Sequence, residues 1–168
     1  MEDIDRSVML KEKLLTAGID EMVVHGIKGF SLRRVAAACG ASCAAPYKHF
    51  KNKEDFIEEI IAYVNEKWDR LSSQIINAFD DPKERIAQLC IANVRFKISN
   101  PLYGMGKKTF DEKISSQVEA YFATDCDEKL FLVSTIVTGA ATLMSEGKMD
   151  NTDSNFQLLR ENILNELA

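Results

Sequence analysis

The stretch from Phe30 to Phe56 constrains the fold most strongly, because it reads as two short helices joined by a tight turn. Ser31 predicts the start of the first helix, since its hydroxyl can accept an orphan backbone N–H. Gly40 predicts the end of that helix, because glycine readily adopts the left-handed conformation found there. Ser42 predicts the cap of the second helix after a turn of about three to four residues. The spacing is that of a helix-turn-helix.

The charge of this stretch differs from that of the whole chain. The 168 residues carry a formal net charge of −5, yet no Asp or Glu occurs between Lys28 and Lys53. A solvated helix face would account for a basic block by itself, but a basic block on helix-turn-helix spacing favours DNA. The six basic residues are Lys28, Arg33, Arg34, Lys48, Lys51 and Lys53.

At these residues the sequence resembles the TetR/AcrR family of transcriptional regulators. The resemblance covers about residues 4–68, and beyond them it rests on length and helical pattern. One departure is Ala41, where valine is more usual, and another is the segment 43–46, which offers few polar side chains for reading bases. The matching residues are Gly26, Phe30-Ser31, Val35-Ala36, Gly40-Ala41-Ser42, Tyr47-Lys48-His49-Phe50 and Lys51-Asn52-Lys53-Glu54.

The pattern of the whole chain predicts an all-α protein with two domains. Only three prolines and eight glycines interrupt it, and it contains no strand-like alternation. A helix over about residues 3–24 and the two short helices make up an N-terminal helix-turn-helix DNA-binding domain over residues 1–52. A long helix over 53–79, capped by Asn52, bridges this domain to a C-terminal helical ligand-binding and dimerisation domain over 53–168.

Four further helices are predicted in the C-terminal domain. Asp81 and Pro82 mark a strong helix start, and that helix should run to about residue 99. The other three cover about residues 110–122, 125–146 and 153–167. Residues 102–107 contain two glycines and predict a short or irregular segment.

The second short helix is the predicted recognition helix, whose N-terminal residues enter the major groove. Ser42, Cys43 and Ala44 stand at its start, and Lys48 can donate to guanine O6 or N7. Ala44 or Ala45 can contact a thymine methyl group. These side chains therefore predict the base contacts.

The remaining DNA contacts are predicted to go to phosphates. The resemblance implies this role for Tyr47, His49 and Lys53, and Lys53 also stands at the start of a helix, where free N–H groups attract anions. The start of the first short helix is expected to add contacts from Ser31, Arg33 and Arg34.

The last two helices predict a homodimer interface. Gly139, Ala140 and Ala141 permit close helix approach, although ordinary intramolecular core packing is the alternative. A dimer would place two recognition helices about 34 Å apart on an inverted-repeat operator. The resemblance implies the same dimer, and it implies a repressor released by a small-molecule effector.

A pocket for a small apolar effector is predicted from the aromatic and apolar residues of the C-terminal domain. Plain core packing is the alternative for each of them. The candidates are Trp68, Phe96, Leu102, Tyr103, Met105, Phe110, Tyr121 and Phe122.

The sequence predicts no enzyme, cofactor, metal site or membrane partner. It has two histidines and lacks a phosphate-binding glycine loop or ligands at metal-binding spacing. Its four cysteines form no CxxC pair, and an acidic N-terminus without an apolar region predicts a cytoplasmic protein. The alternative function is a helical ligand-binding or protein-interaction module that has lost DNA binding.

Overall fold

The computed structural model describes residues 2–105, 110–122, 124 and 126–168, except for the side chains of residues 2–6. All regular structure in these residues is helical, which confirms the predicted all-α class. The elements are α1 (Glu2–Gly29), α2 (Leu32–Ala38), a 3-10 helix (Pro46–Lys48), α3 (Lys53–Ala78), α4 (Pro82–Ser99), α5 (Glu112–Phe122), α6 (Cys126–Ser145) and α7 (Asp153–Glu166).

The ends of the longer helices follow from their capping residues. The side chain of Asn52 accepts the N–H of Asp55 at 2.8 Å at the start of α3, and Asp81 accepts the N–H of Glu84 at 2.8 Å at the start of α4. Both starts were predicted correctly. In α1, Gly26 has φ 65° and ψ 175°, so regular helix ends there as expected, although helical hydrogen bonding resumes as far as Gly29.

Helix α5 begins two residues later than predicted. The carboxylate of Asp111 accepts the N–H groups of Lys113 and Ile114, both at 3.1 Å, and therefore caps the helix from outside. The predicted irregular segment is a series of turns over residues 101–105, and residues 106 and 107 lie outside the described part. Residue 125, the predicted start of α6, also lies outside it.

The chain forms two compact units, residues 1–66 and 67–168. Helix α3 contributes residues to both. The assignment of a DNA-binding domain to residues 1–52 and a regulatory domain to 53–168 stays a prediction.

The C-terminal unit is built around α4, which packs against α5, α6 and α7. Its inner face buries Leu89, Cys90 and Val94, and the long apolar helix α6 buries Val133 and Val137 against it. None of the helices in the described residues is long and apolar enough to cross a membrane.

Candidate nucleic-acid interface

A carboxylate on α1 holds the start of α2 in place. Glu21 is largely buried and accepts the backbone N–H of Ser31 at 3.0 Å and Nε of Arg34 at 2.9 Å. The guanidinium of Arg34 also donates to the carbonyl of Gly29. The hydrogen bond from Arg34 lowers the pKa of Glu21, and burial opposes this in part. Helix α2 is therefore fixed to α1 by a charged clamp.

The turn after α2 has the geometry of a Schellman motif. Gly40 has φ 65°, and its N–H donates to the carbonyl of Ala37 at 3.0 Å. The N–H of Ala41 donates to the carbonyl of Ala36 at 2.9 Å. These two bonds satisfy the last carbonyls of α2 and reverse the chain sharply. The helix end predicted at Gly40 is confirmed.

The predicted second α-helix is wrong, because only the 3-10 helix forms in its place, with Ala45 and not Ser42 at its cap position. Pro46 has no N–H, so the first α-helical bond to the carbonyl of Ser42 cannot form. The N–H of Ala45 reaches that carbonyl at 2.9 Å and makes a tighter turn. Since starting an α-helix is unfavourable without its first bond, the segment stays short.

Three phenylalanines fill the interior beneath this turn. The rings of Phe50 and Phe56 stack with centroids 4.0 Å apart, and Phe30 meets Phe56 edge-on at 5.6 Å. All three side chains are almost completely buried. Phe56 joins Phe30 and Phe50 from the first turn of α3. The aromatic cluster supports the turn from below.

The structure separates the predicted DNA-binding residues into exposed and engaged groups. Arg34 is held by Glu21, and Ala45 is only 7% exposed and faces the interior, so it cannot reach a thymine methyl group. Ser31 and His49 are half-buried, and so is Lys53, whose ammonium lies 6.0 Å from the centre of the Phe30 ring. Arg34 remains exposed despite its ion pair, and the other exposed members are Arg33, Ser42, Cys43, Ala44, Tyr47 and Lys48.

Two residues that organise the site were missed by the sequence reasoning. Glu21 acts across 10 and 13 positions in the chain, a separation that helical periodicity does not detect. Phe56 stands on the inner face of α3, and its position four residues before Ile60 was a usable signal.

The residues predicted to line a ligand pocket do not form one cluster. Trp68, Phe96 and Tyr103 pack against one another, with ring centroids 5.1 to 5.7 Å apart. Tyr103 and Phe110 also line a cavity of about 360 Å³ within the C-terminal unit. Tyr121 and Phe122 form a separate pair at 4.8 Å, while Leu102 is buried and Met105 is exposed.

Residues 14–60 match the family model of bacterial regulatory proteins of the tetR family. The match covers α2, the Schellman turn, the 3-10 helix and the start of α3. The helix-turn-helix region of this chain is therefore similar to that of the tetR family. Comparison with curated proteins gives no match.

Solved structures share the TetR fold over almost the whole chain. A TetR-family transcription regulator from Marinobacter aquaeolei VT8 has a TM-score of 0.70 and 17% identity, covering 99% of this chain and 98% of that one. A protein of unknown function from Rhodococcus sp. RHA1 has a TM-score of 0.72 and 20% identity, covering 95% of each chain. The TetR-family regulator CifR, solved with 26-base-pair operator DNA, has a TM-score of 0.64 and 16% identity, covering 92% of this chain and 93% of that one.

Proposed function

We propose that this chain is a TetR-family regulator that binds double-stranded DNA as a homodimer at an inverted-repeat operator, represses transcription and is released by a small-molecule effector. The observation that carries the proposal is a set of cations without acidic partners around the Schellman turn. None of them forms an ion pair with another described residue. They are Lys28, Arg33, Lys48, Lys51 and Lys53.

Unpaired cations are what a phosphate backbone requires. Each lysine or arginine that neutralises a phosphate releases condensed counterions, which supplies affinity for any duplex. Arg34 differs from the others because its charge is already satisfied by Glu21. We therefore assign Arg34 to holding α2 and the five unpaired cations to the DNA.

The start of α3 is the strongest candidate for a phosphate contact. Lys53 is the first residue of this 26-residue helix, whose N-terminal end favours an anion. Tyr47 is 60% exposed and offers a phenol on the same basic segment. We assign both side chains to the backbone and leave base contacts to Cys43, Ala44 and Lys48.

The homodimer is assigned to α6 and α7. Phe131, Leu143 and Leu158 on these helices are 67%, 39% and 55% exposed, an apolar surface that a second copy would cover. A Cβ added at Gly139 would meet no atom within 4 Å, so this part of α6 is open to a neighbouring helix.

Leu158→Glu should shift the protein from dimer to monomer, because it places a charge in an apolar interface. Sedimentation velocity measures the shift, with Val24→Glu as the matched control, since Val24 is an equally apolar exposed residue on α1. If the Leu158→Glu protein stays dimeric, α7 does not form part of the dimer interface.

The DNA-binding proposal is tested by selecting bound duplexes from a random library. The wild type should enrich an inverted repeat, and a Tyr47→Ala/Lys53→Ala double variant should lose it. A Lys148→Ala variant, altered at an exposed lysine of the C-terminal unit, should keep it.

A module that no longer binds DNA is the second candidate function. The observation in its favour is the short 3-10 helix where a full recognition helix was expected. If neither the wild type nor the Lys148→Ala variant enriches any sequence, this second candidate replaces the first.

A further inference from the structure

The cavity of about 360 Å³ in the C-terminal unit has an unusual polar lining. Its wall includes Lys97, Tyr103, Phe110, Asp111 and Thr138. The volume falls in the range of small-molecule sites, which is about 300–1,000 Å³. Because a lysine and a carboxylate line the same cavity, the charge of a ligand decides whether it can bind there.

Three protein donors already occupy the carboxylate of Asp111. Asp111 accepts the phenol hydroxyl of Tyr103 and the N–H groups of Lys113 and Ile114. Lys113 and Ile114 lie in the first turn of α5, where a helix favours a negative charge, and Tyr103 adds a third donor from the preceding turns. Asp111 therefore has little capacity left for a ligand, and its main effect on one is electrostatic.

The ammonium of Lys97 has no hydrogen-bond acceptor among the described residues. Lys97 is half-buried, its Nζ lies 5.8 Å from the centre of the Phe110 ring, and it forms no ion pair within the described part of the chain. Burial lowers the pKa of Lys97, and the nearby Asp111 opposes this. An ammonium with three donors, taken partly out of water, gains from an anionic partner.

A hydroxyl group lies in the same wall. The hydroxyl of Ser134 donates to the carbonyl of Phe131 at 2.9 Å, so its proton is in use. That of Thr138 makes no hydrogen bond to another described residue. Lys97 and Thr138 together can supply two donors to a single acceptor group.

A second cavity, of about 640 Å³, adjoins the first. Lys97, Tyr103 and Thr138 line both cavities. The second is also lined by Ile98 and Met144, which offer apolar surface beside the two donors. A ligand with its charged group at Lys97 would have room for an apolar body.

We propose that these joined cavities bind a small monocarboxylate, with its carboxylate on Lys97 and Thr138 and its apolar body toward Ile98 and Met144. Among the described residues Lys97 is the one cation of this lining, so a single carboxylate can pair with it, whereas the second charge of a dianion would face Asp111. The inference rests on the proposed function, in which this unit receives the effector, and it adds a charged group to the apolar ligand expected from the sequence.

The test is calorimetric titration of the full-length, DNA-free protein with octanoate and with octanamide, which has the same body without the charge. The ring centroid of Trp68, the only tryptophan, lies 5.7 Å from that of Tyr103, which lines both cavities. Tryptophan fluorescence therefore gives an independent signal of binding. Octanoate should bind at least about tenfold more tightly than octanamide, the size of one charge-assisted hydrogen bond. Equal affinities, or no binding of octanoate, would overturn the proposal.

Variants identify the residues that hold the carboxylate. Lys97→Met should weaken octanoate binding about tenfold or more, and Lys97→Arg should weaken it less. Lys83→Met is the matched control, because Lys83 lies against Tyr121 outside both cavities. Unchanged binding by Lys97→Met would refute the assignment. If Lys97→Met does not fold, Thr138→Val decides, since it removes one donor at constant shape, and its binding should also fall.

These titrations contain no DNA, so their outcome is independent of the operator selection. Octanoate binding without any operator would leave the cavity assignment standing and remove the DNA-binding proposal. An operator without octanoate binding would do the reverse.

Discussion

Phe56→Ala should strongly destabilise the N-terminal unit while leaving the stability of the C-terminal unit unchanged. The ring is 0% exposed, stacks on Phe50 and meets Phe30 edge-on, so truncation creates a cavity at the centre of the cluster. Buried Phe→Ala substitutions cost about 3–5 kcal/mol. At about 0.05–0.15 kcal/mol per residue, a unit of 66 residues has roughly 3–10 kcal/mol of stability to lose. The substitution should therefore remove a large part of the free energy of unfolding of this unit.

Urea unfolding followed by two signals measures this loss. Far-ultraviolet circular dichroism reports all helices, whereas fluorescence reports Trp68, which is buried in the C-terminal unit. The first transition should move to lower urea in Phe56→Ala, with the fluorescence transition unchanged. Tyr47→Ala, an exposed aromatic residue of the same unit, is the control and should change stability by less than about 0.5 kcal/mol. A loss below about 2 kcal/mol in Phe56→Ala would refute the packing argument.

Three further predictions concern single groups. Gly40→Ala should lower the free energy of unfolding in urea by about 1–2 kcal/mol, because φ 65° is strained for alanine although an added Cβ would meet no neighbour. An unchanged free energy of unfolding would contradict the role of the Schellman turn. Glu84→Gln should cost up to about 1 kcal/mol at pH 7. The hydrogen bond from Arg160, then that from Gln88, lowers the pKa of Glu84 below 4.5, so this stability is present above that value and is lost in acid. The free energies of unfolding of the wild type and of Glu84→Gln should become equal in acid. A difference that stays constant with pH would refute this linkage. Lys53→Ala should weaken all duplexes alike and lower the slope of affinity against salt by about one, and altered sequence preference would refute its phosphate role.

The helix boundaries were largely predictable because they depend on local chemistry. Asn52, Asp81 and Gly40 each act on backbone groups within four or five positions, and each did what its residue type favours. Ser42 was wrongly predicted to cap an α-helix, because a favourable capping residue was given more weight than the proline four positions later. Pro46 removes the single bond that would have started the helix, and this outweighs a good cap.

The interior of the candidate sites was less predictable because it depends on contacts distant in sequence. Glu21 reaches Arg34 across a kinked helix end, and nothing in the spacing of either residue indicates the pair. In the cavity, the aromatic residues Tyr103 and Phe110 were named in advance, but Lys97 and Asp111 were not. Their meeting depends on how α4 and the start of α5 pack, which periodicity does not determine.

The outward face of the turn bears on how an operator would be chosen. Of the exposed side chains assigned to base edges, Lys48 is the one that can donate strong hydrogen bonds, while Cys43 and Ala44 offer small, weakly polar surfaces. Selection would then depend on how easily a duplex bends and how wide its grooves are, which is indirect readout. The operators of such a regulator would resemble one another in groove width and flexibility more than in base sequence.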